Sequence, residues 1–400
     1  MLWRNQAYDY WVLELPAPAP VNMYASPSKS HVIVNGGYLL RTAEIEGREL
    51  RLTGDVNVTT HFELVYAPTD RINSISMNGL PLKASDTPNG NLGAIVTFTP
   101  PILSLPDFTT AVWKAIDCLP EITSAYSDTL WTPCDHTNST NDQLGLLTPT
   151  SLYASDYGYH TGSLLHRGHF SSNGGETTLY LNVSGGSGFG YSVWINQTYL
   201  GAWTGSVNNA TYEQTFTLSQ KLDSGCQYVI TVLIDHMGQK EEAPGTDAIK
   251  FPYGVLNYDL AGHSQGEVDW KMTGNLGGEN YVDHARGPRN EGAMFAERMG
   301  YHLPAPPSAE WAAASPMQGL QEPGVMFYST HFTLDVPKGY DVPLSVRFNR
   351  GAYGNGSDFR VQFFENGYQF GKYSKHATSL IFSLFSLATH VTRYHADEMI

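Results

Sequence analysis

The amino-acid sequence predicts an all-β protein, built as a small antiparallel β domain followed by two β-sandwiches in tandem. Three observations carry that prediction. The composition sets 39 Gly, 23 Pro, 24 Tyr and 17 Phe against 15% charged residues in a chain of 400, the balance of a turn-rich sheet protein. Apolar and polar residues alternate over short runs bounded by turn residues, the period of a half-buried strand. The second half of the chain repeats itself in order and spacing, so one domain type occurs twice.

The elements follow in order. Pro-rich breaks at 15–30, 99–108 and 303–324 punctuate the chain. Between the first two, "SHVIVNGGYLLRTAEIEGRELRLTGDVNVTTHFELVYAP" alternates in and out, with turns expected at Gly36-Gly37, Glu46-Gly47 and Gly54-Asp55. "INSISMNGLPLKA" adds a hairpin, because Asn78-Gly79 suits the two left-handed positions of a type I′ turn. In the repeat, "LLHRGHF", "TTLYLNVSGG" and "SVWINQTYLGAW" are answered by "FYSTHF", "VPLSVRFNRG" and "RVQFFENGYQFGKY". His169-Phe170 matches His331-Phe332, and Asn196, Gly201 and Trp203 match Asn366, Gly371 and Tyr373. Within the repeated hairpin, Val193 and Ile195 point to one sheet face while Trp194 and Asn196 point to the other. The turn falls at Asn196 or Asn366, and Gly201 and Gly371 sit where a returning strand bulges or approaches other backbone closely.

Charge and composition exclude several classes. A net charge of −15 argues against nucleic acid or an anionic membrane as partner, because phosphate binding needs a basic face. No stretch of about twenty apolar residues is present to cross a membrane. N-x-Ser/Thr sequons begin at Asn57, Asn138, Asn182, Asn196, Asn209 and Asn355, which leans towards a secreted glycoprotein. The start, "MLWRNQAYDYWVLELP", lacks the basic, apolar and small-residue regions of a signal peptide, and the two readings stand against each other. Cys118 and Cys134 share one loop-rich stretch and could pair in an oxidising compartment; three unpaired thiols, with Cys226, are the alternative.

The search for chemistry is mostly negative. There is no G-x-S-x-G and no phosphate-cradling loop between strand and helix, since "GGSGFG" (185–190) reads as a turn between strands. His166 and His169 stand three apart on a strand and face opposite sides, so they cannot share an ion. No Cys–His metal spacing occurs, and no cofactor is expected. Glycoside hydrolysis needs two carboxylates flanking one bond. Glu279, Asp283, Glu291 and Glu297 gather in an irregular Gly-rich segment, where turn and salt-bridge roles with Arg286, Arg289 or Arg298 are the plainer reading. Trp194, Tyr199 and Trp203 are candidates for an aromatic sugar platform, weighed against hairpin and core packing.

The strings "AYDYWVLELP", "VIVNGGYLLRTAEIEG", "LTGDVNVTTHFELVYAP", "LPEITSAYSD", "SLYASDYGYHTGSLLHRGHF", "SVWINQTYLGAW", "WKMTGNLGGENYVDHARGPRNEGAMFAERMGYHLP" and "GYQFGKY" point to one family. In that order they resemble the C-terminal two-fifths of the large secreted fungal β-galactosidases of glycoside hydrolase family 35. The resemblance runs from near residue 6 to Tyr373. It implies a remnant of a preceding β domain at 1–15, a small β domain at 16–105 and a galactose-binding-like jelly roll at 106–268. A second, incomplete jelly roll at 269–373 would follow.

In that family a TIM barrel carries both catalytic glutamates, one as acid/base and one as nucleophile, and terminal β-D-galactose is released with retention. Neither glutamate motif has a counterpart in this sequence, so no catalytic residue carries over. The resemblance therefore implies a non-catalytic fragment whose partner is the catalytic barrel and whose parent acts on galactosides outside the cell. It also places a leader far upstream of Met1. Residues 374–400, "SKHATSLIFSLFSLATHVTRYHADEMI", match nothing in the family. Ser-Lys can be encoded AGTAAG, which contains a common intron donor, so a retained intron is expected there. That would truncate the last sandwich and expose an edge. Spliced cDNA still encoding "SKHATSLIF" would exclude it. Two alternatives stand beside the fragment: a carbohydrate-binding jelly-roll module acting alone or with a partner hydrolase, and a shortened gene model without an independent product.

Overall fold

The computed structural model describes residues 3–4, 9–16, 29–69, 71–141, 144–160, 162–237, 251–274, 292–347, 359–374 and 381–384. They divide into two compact units, one within Met1–Phe108, Phe332–Ser345 and Ser383–Ile400, the other within Thr109–His331 and Val346–Phe382.

The first unit contains β1 (Trp3–Arg4), β2 (Asp9–Glu14), β3 (His31–Gly36), β4 (Leu39–Glu46) and β5 (Glu49–Asp55). It continues with β6 (Thr60–Tyr66), β7 (Ser74–Met77), β8 (Leu80–Leu82), β9 (Ala84–Asp86) and β10 (Leu92–Val96). A six-stranded sheet runs β1-β2-β3-β6-β10-β9 and a four-stranded one β4-β5-β7-β8. Alternation puts Val32, Val34, Leu50, Leu52, Phe62, Leu64 and Ile75 inward, where all are buried in one core. Asn78 (φ 50°) and Gly79 (φ 80°) make the turn that their sequence predicts.

Three features differ from the sequence-based expectation. Gly54 and Asp55 lie inside β5 rather than at a turn. A Cβ on Gly54 would stand 2.3 Å from the Leu39 carbonyl oxygen, so this glycine permits close strand approach. β5 pairs with β7 in parallel, so the small domain is not wholly antiparallel. Residues 9–15 are not a separate remnant: β2 pairs along β3, and Leu13 and Leu15 enter the same core. The segment Phe332–Ser345 also joins this unit. Val56 N donates to Gly339 O (3.0 Å), Asp341 N donates to Val56 O (3.0 Å) and Tyr38 Oη donates to Asp341 Oδ2 (2.7 Å).

The remaining strands begin with β11 (Lys114–Asp117), β12 (Thr132–Pro133), β13 (Gly162–Ser171), β14 (Thr178–Ser184), β15 (Gly190–Ile195) and β16 (Thr198–Trp203). Next come β17 (Thr211–Thr217), β18 (Gln227–His236), β19 (Gly254–Leu260), β20 (Asp269–Thr273) and β21 (Met326–Ser329). β22 (Leu344–Arg347), β23 (Arg360–Glu365), β24 (Tyr368–Ser374) and β25 (Ile381–Leu384) follow. A six-stranded sheet, β12-β20-β13-β18-β15-β16, faces a three-stranded one, β17-β14-β19. Leu164, Val193, Ile195, Val232 and Ile234 from the first sheet meet Leu179, Leu181, Val183, Phe216 and Tyr258 from the second. This is a sandwich core of side chains at alternate positions.

The repeated hairpin is the same object twice. β15–β16 shifts register between Val193 and Trp194, with Gly201 (φ 153°) opposite Val193. β23–β24 shifts between Phe363 and Phe364, with Gly371 (φ 151°) opposite Phe363. Asn196 (φ 47°) and Asn366 (φ 48°) take the left-handed turn position in each. β21, the first strand of the second copy, pairs with β11, so 114–117 serves the second copy.

Candidate functional site

The outer face of the six-stranded sheet carries the polar chemistry. On β13, Leu164, His166 and Phe170 point into the core, leaving Leu165, Arg167 and His169 on the opposite face. On β20, Asp269 and Lys271 share that outer face. The ladder sets Arg167 opposite Lys271 and His169 opposite Asp269.

Asp128 sits over this square. Arg167 Nη1 donates to its Oδ2, His169 Nε2 donates to Oδ2 at 2.6 Å, and Lys271 Nζ donates to Oδ1 at 3.1 Å. Burial alone would raise the Asp128 carboxyl. The bonds from His169 and Lys271 and the charge of Arg167 outweigh it and hold it below the usual carboxylate range. Arg167, fully buried, also donates to Tyr126 O (3.1 Å) and Thr123 O (2.9 Å) and lies against the Tyr126 ring at 5.2 Å.

A cleft of about 560 Å³ opens beside this cluster. Asp128, Asp135, His169, Asp269, Trp270 and Lys271 are among its lining residues. Among the described residues, no group of three or more His, Cys, Asp or Glu side chains comes together in a way that could hold a metal ion.

Two further ionic clusters brace the unit. Asp235 on β18 accepts from Arg360 Nε on β23 and from Lys372 Nζ on β24, both at 2.5 Å. Burial would raise its carboxyl, but the charges of Lys372 and Arg360 hold it down. Glu176 accepts from Ser172 Oγ (2.9 Å), Asn173 N (2.7 Å) and His263 Nε2 (2.6 Å). Against the opposing effect of burial, these bonds bring its carboxyl to about 2.

The residues singled out from the sequence are largely structural. Trp194 is buried with Leu119, Trp131 and Leu165, and Trp203 stacks on Tyr212 at 3.6 Å and 8°. Tyr199 is half-exposed beside Trp194, with ring centroids 5.5 Å apart. They do not present one flat platform. His166 is buried with its Nε2 against Leu152 O (3.2 Å), while His169 is part-exposed, on opposite faces as their spacing requires.

All three cysteines are free thiols. The Cys118–Cys134 bridge is therefore not made: Cys118 N is bonded to Val325 O and Cys134 N to Trp270 O, on different elements. Burial pushes the Cys118 thiol up to about 12 and raises Cys134 as well. Glu297 is buried and caps its own short helix, accepting from Gly292 N (2.8 Å) and Met294 N (3.2 Å). The neighbouring Arg298 pairs with buried Glu121. Glu279, Asp283, Arg286, Arg289, Glu291 and Asn355 lie outside the described residues.

Of the described sequons, Asn138 and Asn209 are exposed in loops, and Asn57 is half-buried. Asn182 is mid-strand with its Oδ1 buried, and Asn196 Oδ1 accepts from Val229 N (3.0 Å).

The buried histidines give one prediction. Burial lowers His166 to about 4 and His236 to about 3. Both values lie below the ordinary imidazole value, so the unfolded chain takes up protons first as pH falls. Stability contributed by neutral burial is complete near pH 7 and declines from about pH 6.5 towards 4, by up to ~1.4 kcal/mol per pH unit per histidine. Urea titrations at pH 7, 6 and 5 should show this slope, and His166→Asn should flatten it.

A two-sheet sandwich with a polar cleft at its edge, joined to a repeat of its own hairpin, defines a modular, sandwich-type β protein. Comparison with known proteins gives the family. A model described as "Beta-galactosidase second all-beta domain" matches residues 126–240 and 295–400, and one described as "Beta-galactosidase, domain 3" matches 11–93. Probable beta-galactosidase E of Aspergillus fumigatus is 57% identical over 378 residues, covering 93% of this chain and 37% of its own length. Beta-galactosidase A of Aspergillus niger is 48% identical and that of Penicillium sp 45%, each over 376 residues with the same two coverages. The chain belongs to the family 35 β-galactosidases and carries their C-terminal β domains. It spans 37% of the length of these curated relatives. The first model matches twice, as a duplication requires, and its second match reaches residue 400, taking in the segment that the sequence alone sets outside the family.

Proposed function

We propose that this chain is the non-catalytic β-domain part of a β-galactosidase that releases terminal non-reducing β-D-galactose with retention. Its partner is the catalytic TIM barrel of the parent enzyme, which supplies both catalytic glutamates. The observation that carries the reading is the pairing of two β-domain matches with a span of 37% of the relatives' length. The ion clusters at Asp128 and Asp235 suit a scaffold, because their charged groups are spent on one another rather than offered to a substrate. The purified chain is expected to hydrolyse a chromogenic β-galactoside no faster than buffer. Hydrolysis that disappears in Glu291→Gln would overturn the proposal.

The parent's secretion is part of the same reading. In a secretory host, glycans are expected at Asn138 and Asn209, the two sequons exposed in loops. Asn138→Gln and Asn209→Gln should each remove one endoglycosidase-sensitive increment of mass. Unchanged mobility in both would contradict this.

A further inference from the structure

We propose that residues 99–106 are an endoprotease processing site, cut at Leu103–Ser104, and that the two fragments stay assembled after the cut. Neither half of this rests on the β-galactosidase reading.

The segment follows β10, and the last bond before it runs from Phe98 N to Thr59 Oγ1 (3.0 Å). Among the described residues, none of 99–106 makes a hydrogen bond through backbone or side chain. None is buried: Ile102 is 99% exposed and Leu105 58%. An endoprotease takes its substrate as an added strand, main chain against main chain. A strand of the sandwich must first break its own ladder to be taken in this way. Residues 99–106 have no ladder to break, and such exposed, unbonded connections are where nicking concentrates.

The prolines narrow the choice of bond. Pro100, Pro101 and Pro106 have a fixed φ and no N–H, which makes the bonds on their N-terminal sides poor substrates. Of the bonds left, Leu103–Ser104 has an unbranched apolar side chain on its acyl side and a small residue after it. That suits a serine endoprotease with an apolar primary pocket. Water adds across the bond: the C–N bond breaks, the Leu103 carbonyl becomes a carboxylate and the Ser104 nitrogen an ammonium. Residues 331–338, where the chain re-enters the first unit, also lack hydrogen bonds. There, however, Phe332 packs edge-on against Phe108 (5.5 Å), and Leu334 is followed by the charge of Asp335.

The cut leaves the first unit held by the other fragment, because 339–341 is built into it. Tyr340 bridges Val56, with the Val56–Gly339 and Asp341–Val56 backbone bonds on either side. Asp341, 7% exposed, accepts from Tyr38, and the Tyr340 ring meets Phe98 at 6.0 Å. Gly339 (φ 87°) comes so close to Asn78 that a Cβ would stand 2.5 Å from its Nδ2. All of these groups lie outside 99–106.

Brief digestion of the full chain with dilute subtilisin, read by intact-mass spectrometry, should give one fragment ending at Leu103 and one beginning at Ser104. The pair should elute from a sizing column with the intact chain and separate only in urea. Leu103→Pro with Leu105→Pro removes no hydrogen bond, so it should abolish this cut at unchanged Tm. In the nicked protein, Tyr38→Phe and Gly339→Val should each raise the dissociation constant of the pair about tenfold or more. First cuts outside Ile102–Leu105 overturn the site. Fragments that separate in native buffer, or a dissociation constant unchanged in both Tyr38→Phe and Gly339→Val, overturn the assembly.

Discussion

Asp128→Ala is expected to lower the unfolding free energy by about 3–5 kcal/mol, the cost of leaving a buried partner charge uncompensated. Arg167 is fully buried, and its remaining bonds go to the Tyr126 and Thr123 carbonyls, which carry no opposite charge. The substitution also removes the acceptor for His169 and Lys271. Urea unfolding at pH 7 checks the magnitude. The double variant Asp128→Leu with Arg167→Met should recover most of the loss, because two apolar groups need no pairing. A single-variant loss below about 1 kcal/mol would show that water reaches the guanidinium.

Asp235→Ala is the second large effect, about 2–3 kcal/mol, since two charge-assisted bonds are lost where Asp235 is only partly shielded. The loss should be local. Hydrogen exchange should quicken across β23 and β24, which Arg360 and Lys372 hold to β18, while the β13–β18 ladder stays protected. The Asp235 carboxyl is depressed in the folded state. Its contribution is therefore present above the ordinary carboxylate pKa and lost as pH falls through the folded value. Uniform exchange across both sandwich sheets would mean that the cluster supports the whole unit instead.

Local chemistry made much of the fold legible. Asn78-Gly79 needs left-handed backbone and obtains it, and Gly201 and Gly371 sit at equivalent bulges because their order in the hairpin is the same. The sides taken by Trp194 and Ile195, and by His166 and His169, follow from a period of two. What stayed hidden depends on distant pairing. Asp128 meets Lys271 across 143 residues, Glu121 meets Arg298 across 177, and Arg360 meets Asp235 across 125. No spacing rule reports such contacts. Gly54 misled for a related reason: its role depends on the Leu39 carbonyl of the neighbouring strand, and a Gly-Asp pair by itself reads as a turn.

Two hairpins of the same register and turn geometry in one chain create a hazard during synthesis. Both hairpins meet β18, β15–β16 through its ladder and β23–β24 through Arg360 and Lys372, and the later copy is tethered near the earlier one at an effective concentration of order mM. Cross-pairing between copies is a characteristic failure of tandem domains. Side chains on either side of the shared frame keep the copies apart. Trp194 fits among Leu119, Trp131 and Leu165, whereas its counterpart Phe364 lies against His302 and Phe327. Asp235 accepts Arg360 and Lys372, whose places in the first hairpin are taken by Gly190 and Ala202. The acid on β18 thus works as an address that admits the later hairpin to one berth and leaves the other to the first.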